Sequence, residues 1–136
     1  MNETPLVVIG ASAGGLQAIK ELLSCLDEKI NAAIIVIQHL SPDYKSFMVD
    51  ILRGDTVLPI KEVVDGTPLT ENHIYLLPPH TNVRIYENKF SVQRYEASKK
   101  AYYPIDDFLR SLTQMPPIIR KTAICILSGT GSDGTN

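Results

Sequence analysis

Leu6-Val7-Val8-Ile9-Gly10-Ala11-Ser12-Ala13-Gly14-Gly15 is the stretch on which the fold turns. Leu6 to Ile9 are uninterruptedly apolar, the pattern of a strand buried on both faces in a parallel sheet. Gly10 is expected to end that strand. Leu16, Ile19, Leu22, Leu23 and Leu26 then recur at the spacing of one helical face, which predicts a helix from about Gly15 to Leu26. Ala32 to Ile37 reads as a second buried strand, ending at Gln38-His39. Strand, helix and strand in close succession make a βαβ unit. Its crossover is expected to be right-handed, with the two strands parallel in one sheet.

The rest of the chain extends this plan. Ser41-Pro42-Asp43 suits a turn and helix cap, and Phe47, Ile51 and Leu52 continue as a short helix to about Arg53. Val57 to Val64 predicts a strand that Pro59 assigns to an edge, since proline has no N–H for the ladder. Asp65-Gly66-Thr67-Pro68 is a turn, and Ile74 to Leu77 is a strand stopped by Pro78-Pro79. Val83 to Tyr86 and Phe90 to Gln93 alternate around Glu87-Asn88-Lys89, a β-hairpin pattern. Glu96 to Ala101 is polar and loop-like. Pro104 opens a helix carrying Phe108, Leu109 and Leu112, halted by Pro116-Pro117. Ala123 to Leu127 is a last buried strand before a glycine-rich turn. The expected fold class is α/β: a doubly wound, mainly parallel sheet in three layers, Rossmann-like, with a β-hairpin insertion.

Composition narrows the classes. The chain has 136 residues, 44% of them apolar, which suits one domain with a real core. A net charge of −2 gives no reason to expect nucleic acid or an anionic membrane as a partner. No stretch approaches the ~20 apolar residues of a membrane span. No basic segment precedes the first apolar run, so no signal peptide is expected and the cytoplasm follows as the compartment. Cys25 and Cys125 sit in apolar segments and are expected to be buried free thiols.

Chemistry concentrates where strands end. Gly10-Ala11-Ser12-Ala13-Gly14 fits Gly-x-Ser-x-Gly between a strand and a helix, a sharp turn that presents a nucleophilic serine at the sheet's carboxyl edge. The helix N-terminus behind it offers free N–H groups to an oxyanion. Two other readings compete. Gly10-x-Ser12-x-x-Gly15 resembles a dinucleotide fingerprint, but that fingerprint needs an acidic residue at the end of the second strand, where Gln38-His39 stands. A glycine-rich turn without chemistry is the other.

His39 ends the second strand as Ser12 follows the first. Adjacent parallel strands lie ~4.8 Å apart, which puts an imidazole within reach of the hydroxyl as its base. His73 and His80 flank a short strand and read as loop or surface residues. Asp133 lies in Gly129-Thr130-Gly131-Ser132-Asp133-Gly134 after the last strand. If that strand lies on the other side of the first, Asp133 can orient His39; the same segment also reads as ordinary turn chemistry or a phosphate-binding nest. The order Ser…His…Asp differs from that of ordinary α/β-hydrolases and of the two familiar serine protease folds.

Four segments together resemble the catalytic domain of the chemotaxis protein-glutamate methylesterases, the CheB family. They are Val8–Gly15, Val36–Leu40, Pro104–Leu112 and Leu127–Thr135, in the family's order over nearly the whole chain. The resemblance implies a Ser–His–Asp triad of Ser12, His39 and Asp133, and no metal or organic cofactor. It implies hydrolysis of glutamate γ-methyl esters on methyl-accepting chemotaxis receptors, with glutamine deamidation in many members. It leaves room for signalling or methyltransferase domains elsewhere in a parent chain. The family's regulatory receiver domain is not covered by residues 1–136. Because the chain stops at Asn136, inside the turn that holds Asp133, the catalytic domain is expected to be incomplete at its C-terminus and this fragment to be of reduced activity or none. A nucleotide-binding or non-catalytic signalling module is the alternative function.

Overall fold

The structure is a computed structural model that describes residues 4–11, 15–38, 48–94, 104–114 and 121–127. In chain order the elements are β1 (Leu6–Ala11), α1 (Leu16–Ser24), β2 (Ala33–Gln38), α2 (Met48–Arg53), β3 (Ile60–Glu62), β4 (Ile74–Leu76), β5 (Thr81–Tyr86), β6 (Lys89–Arg94), α3 (Pro104–Leu112) and β7 (Thr122–Leu127). Five strands form one sheet in the order β3-β4-β2-β1-β7. Every neighbouring pair in it is parallel. The α/β, mainly parallel fold expected from the sequence is the fold observed.

Side-chain alternation splits the apolar residues between two faces. Leu6 and Val8 of β1 join Ala33, Ile35 and Ile37 of β2 in a core closed by the hairpin β5–β6 and by Ile105, Phe108 and Leu112 of α3. The intervening residues Ile9, Ala11, Ile34 and Val36 face Ile19 and Leu23 of α1 and Leu52 of α2. The continuous apolar runs of β1 and β2 therefore serve two cores, one on each side, which gives three layers.

The hairpin turns more tightly than its sequence suggested. Lys89 pairs with Tyr86 across the ladder, so only Glu87 and Asn88 form the turn. Their φ values of 50° and 62° are those of a type I′ turn, whose twist matches the strands. Phe90 of β6 packs on Tyr75 of β4, with ring centroids 4.9 Å apart, which seats the hairpin on the sheet. Arg84 of β5 grips Asp107 of α3 with both guanidinium nitrogens, at 2.9 and 3.1 Å.

Several expectations need correction. β1 does not end at Gly10. It continues through Ala11, because Gly10 and Ala11 keep ladder partners on both sides. α1 stops at Ser24 because the chain tightens there, with the Cys25 and Leu26 amides turning back to the Leu22 and Leu23 carbonyls. The run Val57–Val64 contributes only β3, at the sheet edge as Pro59 indicated; the Pro59 carbonyl accepts from the Ile74 amide at 2.8 Å. β7 is not a buried strand. It borders the described sheet, and Ile124 and Ile126 stand 49% and 40% exposed. The thiols are free, as expected, but Cys25 is exposed and Cys125 half-exposed. The expected cap at Ser41-Pro42-Asp43, Phe47, the polar stretch 96–101 and the helix stop at Pro116-Pro117 lie outside the described residues. Among the described residues no helix is long and apolar enough to cross a membrane.

Candidate active site

Open parallel sheets bind ligands at the carboxyl edge where strand order reverses. Here the chain passes from β1 to β2 on one side, and β7 returns on the other side of β1, so β1 stands at that reversal. The three strands finish in step. Ala11 is the register partner of both Gln38 and Leu127. The next residues in the chain are Ser12 after Ala11, His39 after Gln38, and Ser128 after Leu127, five positions before Asp133. Ser12, His39 and Asp133 themselves lie outside the described residues, so the structure brings together the strand ends that carry them.

Two helices begin at this edge. α1 starts from a buried Gly15 and carries no acidic side chain in its first turn, so the positive end of its dipole is left without a carboxylate of its own. α3 begins with Pro104, whose missing N–H costs nothing in the first helical position. Its next residue, Ile105, lies directly on Gly10. A Cβ at position 10 would stand 2.9 Å from Ile105 Cγ2 and 3.0 Å from Cδ1. This changes the meaning of Gly10. The sequence reading gave it to the turn, whereas it sits inside β1 and lacks a side chain because α3 approaches there.

The first turn of α3 differs from that of α1. It holds Asp106 and Asp107. Asp107 is half-exposed and paired with Arg84. Asp106 is 1% exposed. Neither the Gly10–Ile105 contact nor the burial of Asp106 was read from the sequence, although Pro104–Leu112 stood out as a segment; Pro-x-Asp-Asp at a helix start is equally the signature of an exposed cap.

His73 precedes β4 and belongs to the opposite sheet edge. Its Nδ1 lies 2.8 Å from the Glu71 carbonyl and its ring stacks on Tyr75 at 6.2 Å. His80 stands in the loop leaving β4, at a φ of 56°. Both are half-buried, which fits a structural role better than a surface one.

The match to known proteins runs through this edge. Residues 7–136 match the CheB methylesterase family. The chain belongs to that family. It is 31% identical over 130 residues to a Paramagnetospirillum magneticum protein named protein-glutamate methylesterase/protein-glutamine glutaminase 3, covering 95% of this chain and 36% of that one. It is 33% identical over 131 residues to a Pseudomonas aeruginosa protein of the same name, covering 95% of this chain and 38% of that one. It spans, then, well under half the length of these curated relatives. The crystal structure of the Thermotoga maritima CheB methylesterase catalytic domain superposes with a TM-score of 0.82 at 27% identity, covering 98% of this chain and 72% of that one. The CheB fold is thus shared from β1 to β7, including the strand order that sets the switch point.

Proposed function

We propose that the protein is a protein-glutamate methylesterase with Ser12 as nucleophile, His39 as base and Asp133 as the acid that orients His39. The observation that carries this reading is the common register of Ala11, Gln38 and Leu127 at the switch point of a CheB-family sheet. Ends of adjacent parallel strands are ~4.8 Å apart, the spacing a hydroxyl and an imidazole need to share a proton.

The chemistry is acyl transfer. The Ser12 oxygen attacks the γ-carbonyl carbon of a glutamyl methyl ester while His39 takes the hydroxyl proton. The tetrahedral oxyanion is met by N–H groups at the N-terminus of α1, whose first turn adds no opposing charge. His39 returns its proton to the methoxide as the C–O bond breaks, and methanol leaves an acyl-enzyme. Water then attacks with His39 again as base and frees the glutamate carboxylate. A glutamine side chain follows the same steps with ammonia as leaving group. All of this uses the chain's own side chains and backbone.

The substrates are methyl-accepting chemotaxis receptors, which sets the working compartment as the cytoplasm. Residues 1–136 form part of a methylesterase-type catalytic domain; the match over residues 7–136 supports this, and the solved CheB domain extends beyond what this chain covers. Dinucleotide binding is disfavoured, since Gln38 finishes β2 where an acidic residue would hold the ribose.

Methanol release from methylated receptor membranes tests the proposal. The complete protein is expected to release methanol, and Ser12→Ala in it to abolish release with its circular dichroism unchanged. Release at the parental rate from Ser12→Ala would refute the assignment.

A further inference from the structure

Ile105 and Asp107 stand two residues apart in the first turn of α3, and different parts of the fold hold them. Ile105, 2% exposed, is pressed on Gly10 of β1, where a Cβ would meet its Cγ2 at 2.9 Å. Asp107 is held by the hairpin: Arg84 Nη1 donates to Oδ2 at 2.9 Å and Nη2 to Oδ1 at 3.1 Å. A two-bond fork of this kind fixes direction as well as distance. Its base is fixed too, since the same Nη1 donates to the Val83 carbonyl of β5 at 2.9 Å. The hairpin is in turn tied down through its other strand. Phe90 of β6 accepts from the Gly66 amide and donates to the Thr67 carbonyl, both at 2.8 Å. Fixed contacts therefore run from the segment before β4, through β6, β5, Arg84 and Asp107, to the turn that carries Ile105.

The apolar side of the same seam has no such directionality. Val83 and Ile85 share one core with Ile105, Phe108 and Leu112, and apolar packing resists separation more than sliding. The fork also differs in being wet, with the Arg84 and Asp107 side chains 43% and 37% exposed. Half-exposed pairs add little to overall stability and are weakened by salt. Their effect lies in what they hold still.

We infer that the Arg84–Asp107 pair is a salt-sensitive clamp that sets how firmly α3 presses Ile105 on Gly10. Closed, it denies the first turn of α3 room to retreat from β1. Opened, it lets that turn shift and the pressure on Gly10 fall. The hairpin surface is thereby coupled to the carboxyl end of β1, at the reversal of strand order. This clamp goes beyond the methylesterase reading and stands or falls apart from it.

Gly10→Ala serves as the strain gauge, because its added methyl reports how far Ile105 can yield. Urea unfolding midpoints are compared for the protein, Gly10→Ala, Arg84→Gln and the double variant. Gly10→Ala is expected to lower the midpoint, and beside Arg84→Gln to lower it by no more than about half as much, the sign of coupling between the two positions. In about 1 M sodium chloride, where the screening length is about 3 Å, the Gly10→Ala loss should shrink with Arg84 in place and stay as it was beside Arg84→Gln. Equal losses in the two backgrounds, or a loss with Arg84 in place that salt leaves unchanged, overturn the clamp. If the double variant does not fold, amide exchange decides on Arg84→Gln alone. The Phe108 and Leu109 amides, whose partners are carbonyls in the first turn of α3, should exchange at least ~10-fold faster while Val8 and Ile35 in the central strands change less than about twofold. A rise of one size at all four positions, or no rise at Phe108 and Leu109, overturns the proposal.

Discussion

Gly10 and Ile105 touch so closely that no side chain fits between them: a Cβ on Gly10 would lie 2.9 Å from Ile105 Cγ2, inside any real carbon contact. The atom in the way is a methyl on a branched, 2% exposed side chain, which has little room to yield. Alanine in a strand is usually better than glycine by roughly 0.5–1 kcal/mol. Overpacking costs about 1–3 kcal/mol and is the larger effect. Gly10→Ala is therefore expected to destabilise the protein by about 1–2 kcal/mol in urea unfolding, and Ile105→Ala in the same chain to remove part of that cost. A neutral or stabilised Gly10→Ala would show that α3 does not press on β1.

The Tyr75 hydroxyl is held by backbone groups of Pro68 and Thr70. It accepts from the Thr70 amide at 2.8 Å and donates to the Pro68 carbonyl at 3.0 Å. Tyr75→Phe keeps the ring and strands both groups, so a loss of about 1–3 kcal/mol is expected. Amide exchange at Thr70 should speed up in step. Unchanged exchange there would argue against the bond.

Glu87 and Asn88 both take positive φ, a conformation that suits asparagine and not glutamate. Glu87→Asn should stabilise the hairpin by roughly 0.5 kcal/mol. Asn88 is different, since its side-chain amide donates to the Leu69 carbonyl at 3.0 Å. Asn88→Ala should cost about 1 kcal/mol. Thermal unfolding of the two variants is expected to move Tm in opposite directions.

β7 borders the described sheet with Ile124 and Ile126 exposed. Apolar edges of this kind invite pairing with another chain, and charge suppresses it. Ile124→Lys is expected to lower concentration-dependent association in sedimentation velocity while changing stability by less than about 1 kcal/mol. Unchanged association would place the contact elsewhere.

Much of this architecture was legible because it rests on patterns local to the chain. The apolar runs of β1 and β2 are continuous since both faces are covered, and the periodicity of α1 marks the face it turns to β1. The strand ends at Ser12 and His39 could be paired from the βαβ unit alone. Gly10 misled because a glycine needed for close approach and a glycine needed for a turn look alike in sequence; what separates them is Ile105, ninety-five residues away in the chain. The burial of Asp106 was hidden for the same reason. β7 read as buried because its composition is that of a central strand, and sequence does not say which strands have neighbours on both sides. Cys25 read as buried from its apolar surroundings, yet it falls just past the end of α1 and faces water.

The division of the apolar residues between the two faces of the sheet has an evolutionary consequence. The cluster under α3 and the hairpin and the cluster under α1 and α2 share no side chain. Changes in packing separated by a backbone layer tend to add and not to interact. The α1–α2 side can accordingly drift in sequence, residue by residue, with its errors confined to that layer. Both sides lose that freedom near the serine, the α3 side where Ile105 meets Gly10 and the α1 side where Ala11 is packed. Relatives at around 30% identity are expected to have spent their divergence unevenly, most of it on the α1 and α2 positions farthest from Ala11 and the start of α1.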